Sequence, residues 1–150
     1  MKRNILKGIL IGAIIVIGLF LLLQLVPYGR DHTNPPVIAE PKWDSPQTRQ
    51  LAARAYFDYH SNETIWPWYT NIAPSSWLVQ YDVDKGRDEF NFSEWQFNPI
   101  EETEELAEVI QEGEMPPSQY LLIHPEARLT NTEKSLLIQG FFATLGTGSD

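Results

Sequence analysis

The chain has no cysteine among its 150 residues. Disulfides, thiolate catalysis, cysteine-ligated zinc and any thioether-attached cofactor are therefore excluded. Methionine is scarce too, with Met115 the only one besides the initiator. No acidic residue precedes Asp31, and there are three histidines: His32, His60 and His124. No run of alternating polar and apolar residues marks a strand, and no internal repeat or low-complexity tract is visible. The Ser, His and Asp residues form no nucleophile-elbow pattern, and "HTNPP" and "HPE" lack the paired spacing of a metal site. Asp58, Glu63 and Glu94 do not make a converging acid–base pair by spacing. The expectation is a protein that is not an enzyme.

What is present begins with a long apolar run. From Gly8 to Leu23 no side chain is polar, and after Gln24 the run continues through Leu25 and Val26. That is close to the roughly 20 residues needed to cross a hydrocarbon core of about 30 Å. Lys2, Arg3 and Lys7 precede it, so the positive-inside rule predicts a cytoplasmic segment over 1–7, an uncleaved anchor over 8–26 and export of the remainder. A cleavable signal would have a shorter apolar core and a small-residue exit, which "LQLVPYGRD" lacks. The part beyond the anchor carries 20 acidic against 8 basic residues, a net of −12. Such a charge disfavours nucleic acid and anionic headgroups, and suits solubility or a basic partner.

Residues 27–44 are rich in proline and turn formers, and Pro35, Pro36 and Pro41 predict an extended juxtamembrane strap. A mostly α domain is expected over 45–146, with a short tail at 147–150. Its first helix opens at Ser45 as N-cap, with Pro46 in the first turn, and runs to His60. A second opens near Pro74 and Ser75 and ends at Gly86. A third, in "EETEELAEVIQEG", has acidic residues in its first turn and stops at Gly113. The fourth opens on a Thr130/Glu133 capping box and ends at Gly146. A short helical piece is expected in "PSQYLLIHPE".

In "RAYFDYHSNET", Tyr56, Tyr59 and His60 occupy the spacing C-x-x-C-H, with tyrosine where each cysteine would stand. On one continuous helix the three share a face. Trp66 and Trp68 follow closely and offer flat aromatic surface. Met115 lies after a helix stop and before two prolines, so its thioether is presented from a stiff loop.

Taken with the blocks "VPYGRDHTNPP", "EPKWDSPQTRQLAARAYFDYHSNETIWPWY", "IAPSSWLVQYDVDKGRDEFNFSEW" and "GEMPPSQYLLIHPEARLTNTEK", this pattern resembles the small membrane-anchored bacterial haem-binding domains related to cytochrome c. The resemblance implies a cytochrome-c-like α fold, haem as cofactor, His60 as proximal metal ligand and Met115 as distal ligand. It also implies a haem contact surface that includes Tyr56, Tyr59, Trp66 and Trp68. It further implies an inner-membrane protein, single-pass, with its C-terminal domain on the periplasmic or external side and a redox protein as partner. Without cysteine, any haem is held non-covalently. Burying about 400 Å² of porphyrin gains roughly 10 kcal/mol. Losing rigid-body freedom costs an estimated 4–15 kcal/mol, so the iron–ligand bonds must supply the net affinity.

Two functions stay open at this point. One is one-electron transfer or redox sensing through non-covalent haem. The other is a haem-free relic whose Tyr56 and Tyr59 fill the old cofactor space and which serves as a structural or binding module. His32 and His124 are further candidate ligands, and a tyrosine phenolate is a known haem ligand in its own right.

Overall fold

The computed structural model describes residues 2–100 and 102–146. The expected tail at 147–150 and Glu101, at the start of the expected third helix, lie outside them. Among the described residues the secondary structure is helical, with one isolated bridge between Ala39 and Glu94 and no strand. The long apolar helix followed by a helical domain agrees with the sequence reading. The chain divides into two compact units. One is the N-terminal segment to Thr33 with Trp66–Asp82; the other is Asn34–Ile65 with the chain from Val83 onward.

The first unit begins with α1, Lys2–Leu23, whose side chains face outward along its whole length. The helix gives way to a turn at Gln24, so Leu25 and Val26 extend the apolar run but not the helix. Gln24 ties this turn to a distant loop. Its side-chain amide donates to Ala73 O at 2.9 Å and its carbonyl accepts from Ala73 N at 3.0 Å. Arg30 closes back on it, donating to Gln24 O at 3.0 Å and to Gln24 Oε1 at 2.8 Å. Gly29 has a positive φ of 75°, and a Cβ there would lie 2.1 Å from Ser76 O, so this crossing requires glycine. His32 stacks on Trp66 at 5.0 Å and bonds Thr70 Oγ1 at 2.8 Å. Trp68–Asn71 forms a 3₁₀ turn, and α4, Ser75–Glu89, starts in this unit and ends in the other.

The second unit packs α2 (Pro46–Ala55), α3 (Phe57–His60), α5 (Thr103–Glu112), α6 (Ser118–Ile123) and α7 (Asn131–Leu145) with the end of α4. Ser45 caps α2 by accepting from Thr48 N at 3.1 Å. The Thr130/Glu133 box caps α7, and Gly113 ends α5 in the left-handed region at φ 78°. The core joins Leu51, Ala52, Phe57, Phe92, Ile110, Leu137 and Phe141, with Phe92 between Trp43 at 5.2 Å and Phe57 at 5.4 Å. Gly140 lets α7 approach α2: a Cβ there would meet Thr48 Oγ1 at 2.2 Å.

Two helix boundaries differ from the sequence reading. The expected helix to His60 breaks at Tyr56, where φ is −128° and ψ −28°. The expected stop at Gly86 does not occur, and α4 continues to Glu89. Gly86 serves contact rather than termination, since a Cβ there would lie 2.5 Å from Tyr59 O.

Candidate functional site

The turn from Tyr56 to His60 stays hydrogen-bonded despite the helix break. Tyr56 O accepts from Tyr59 N at 3.1 Å and from His60 N at 2.9 Å. This keeps the Tyr56 and His60 rings as neighbours, 6.4 Å between centroids. Tyr59 diverges from them: its ring meets Tyr120 at 5.1 Å, edge to face, while its backbone supports Gly86. The single face expected for all three side chains is therefore kept by two.

His60 is 2 % exposed. Its Nδ1 donates to Gly86 O at 2.8 Å, the only direction possible since a carbonyl accepts. The Phe90 ring covers one imidazole face at 4.1 Å and 8°. Burial pushes the His60 pKa down to about 4, against the opposing pull of the Gly86 and Phe90 carbonyls. The ring is thus neutral at ordinary pH, with the proton on Nδ1 and the lone pair on Nε2. That is the tautomer a metal needs, fixed by the hydrogen bond its other nitrogen makes.

Beside His60 lies a cavity of about 510 Å³. Its volume falls in the roughly 300–1,000 Å³ range of small-molecule sites. Tyr56, Phe90, Ile100, Leu106, Val109 and Met115 supply its apolar wall, and Glu89, Glu102, Glu105 and Glu114 its charged lining. Met115 is half-buried against the core, and its carbonyl receives the Tyr56 hydroxyl at 3.4 Å. Burial raises the Tyr56 pKa, so the phenol stays protonated and is a poor candidate for a phenolate ligand.

Of the six residues read from the sequence as cofactor contacts, Tyr56, His60 and Met115 meet at this cavity. Tyr59, Trp66 and Trp68 are not in its lining. Trp66 stacks on His32 and Trp68 stands exposed, both in the first unit. His124 stacks on Tyr120 at 4.4 Å and contacts Glu126, and neither it nor His32 lines the cavity. Asp58 accepts from Ile65 N at 2.9 Å and from Tyr120 Oη at 2.6 Å, which accounts for it structurally. No group of three potential metal-ligating His, Cys, Asp or Glu side chains occurs among the described residues.

The sequence reading missed Phe90, Ile100 and the glutamates of the lining. Leu106 and Val109 were legible as an apolar stripe, but not as a stripe that faces a cavity. Gly86 carried a signal that was misread, because a glycine inside a helix marks close approach as readily as an end.

The site fits a haem in its donor set and its wall. His60 and Met115 both line one cavity, and an imidazole with a thioether is a known ligand pair for haem iron. The glutamates are like-charged with haem propionates and would disfavour them against the lining. No curated protein and no solved structure matches the chain. A family model described as "haem-binding domain" matches residues 18–143. That match spans most of the chain, and on it this protein belongs to the haem-binding domain family.

Proposed function

We propose that the chain is a membrane-tethered, non-enzymatic haem protein that holds its haem without covalent links, with His60 and Met115 as the residues that would hold the iron. When bound, haem supplies a one-electron iron couple, and the proposed work is electron transfer or redox sensing with a partner protein. The observation that carries this reading is His60: buried, neutral, pinned through Nδ1 to Gly86 and lining a cavity that Met115 also lines. Gly86 O fixes the imidazole rotation, and Phe90 limits its tilt. A His/Met ligand pair would raise the reduction potential. The absence of cysteine favours non-covalent retention. The apolar helix after Lys2, Arg3 and Lys7 supports an inner-membrane anchor with the helical domain outside.

Titrating the purified full-length protein in detergent with haemin tests this. A low-spin spectrum is expected, lost in His60→Ala and altered to a weaker-field form in Met115→Leu. A free-haem spectrum throughout would sink the proposal. It would leave the second reading, a haem-free module, which the burial of Tyr56 and the acidic lining favour.

A further inference from the structure

Trp68, Leu78 and Tyr81 are large apolar or aromatic residues exposed at 76 %, 64 % and 54 %. Single exposed apolar side chains are ordinary on a protein surface. What distinguishes these is where the chain ties them. Gln24 stands at the end of the apolar helix, and its side chain holds both backbone groups of Ala73 at 2.9 and 3.0 Å. The backbone of Ser76 lies against Gly29, close enough that only glycine fits. The helix Lys2–Leu23 covers roughly 33 Å at 1.5 Å per residue, about the thickness of the hydrocarbon, so Gln24 sits near its outer edge. Ala73 is tied to that level, and Ser76 follows it by three residues. Leu78 and Tyr81 follow Ser76 by two and five residues on α4, a rise of about 3 and 8 Å. Trp68 precedes Ala73 by five residues and is anchored through Thr70 to His32. Leu25, Val26 and Tyr28 are exposed on the same tether.

We propose that Trp68, Leu78 and Tyr81 form a seat in the lipid headgroup layer, which makes this segment part of the membrane attachment. The inference rests on reading α1 as a membrane span. Trp and Tyr side chains suit this layer, since their rings are apolar and their N–H or O–H tips remain wet. The −12 net charge of the chain beyond the span leaves little electrostatic attraction to anionic lipid. The seat therefore works by ring insertion and fits a zwitterionic surface.

Because the chain has no native cysteine, one substituted cysteine gives one label. The test places Trp68→Cys, Leu78→Cys, Tyr81→Cys and, within the span, Ile14→Cys in the full-length chain. Each is labelled with an environment-sensitive dye and reconstituted into phosphatidylcholine vesicles that carry doxyl quenchers at shallow or deep positions. The expected result is shallow quenching at least twofold above deep quenching at 68, 78 and 81, and the reverse at 14. Dyes at 68, 78 and 81 that stay aqueous while position 14 is quenched deeply would overturn the seat and leave the span intact. Blue-shifted dyes there without lipid quenching would also overturn it and indicate cover by a second copy of the chain. An aqueous dye at position 14 would remove the span, and the seat with it.

Discussion

His60 shows how one buried side chain ties stability to pH. An unfolded histidine titrates near its ordinary value of 6.5, whereas His60 in the fold titrates at about 4. Between those values the unfolded chain binds a proton that the folded one refuses, so stability falls as pH drops from about 6.5 to about 4 and levels off below. The difference of roughly 2.5 units corresponds to about 3 kcal/mol. Urea unfolding of the haem-free protein at pH 7.5 and 4.5 should show this loss. His60→Gln, which keeps a polar side chain but cannot titrate, should show a smaller acid loss by most of that amount. Equal losses in both proteins would place the pH dependence elsewhere. Tyr120, half-buried, also has a shifted pKa. Partial burial raises it first, and the hydrogen bond to Asp58 adds to the effect, so it stays a protonated donor to that carboxylate.

Among the helices, the contact of α2 with α7 is the most demanding, because Gly140 admits the Thr48 side chain where any Cβ would collide. Gly140→Ala is expected to cost about 1–3 kcal/mol through overpacking. In a domain of this size that is a Tm drop of roughly 5–20 °C. The neighbouring exposed Gln139→Ala should leave Tm almost unmoved, and a Gly140→Ala Tm equal to wild type would show that the helices separate freely. The helix starts were readable because caps are local chemistry: Ser45 with Pro46, and Thr130 with Glu133, need only their own neighbours. The breaks at Tyr56 and the run-through at Gly86 were not readable. Both depend on segments distant in sequence, since Gly86 meets Tyr59 and accepts from His60 Nδ1.

For the protein as a whole, the charge around the cavity governs how an anionic ligand is received. Four glutamates line the cavity beside His60, and haem brings two further carboxylates. Haemin affinity should therefore rise with ionic strength, by several-fold as the screening length shortens from about 30 Å at 0.01 M to about 3 Å at 1 M. The paired substitution Glu102→Gln with Glu105→Gln should tighten binding at low salt and flatten the dependence. Affinity that falls with salt, in both forms, would mean the propionates meet positive charge instead.

The order of amino acids was enough for whatever depends on near neighbours or on totals. It excluded thioethers by having no cysteine, announced a long apolar helix through the run over 8–26, set the helix caps, and placed His60 and Met115 in a recognisable pattern. Folding alone determined which of those side chains meet. It brought Met115 to the cavity of His60, sent Tyr59 to Tyr120, left Trp66 and Trp68 in the unit that holds α1, and buried the imidazole so that it is neutral. Those outcomes come from packing between segments tens of residues apart, and no local spacing encodes the direction a ring takes once a helix breaks.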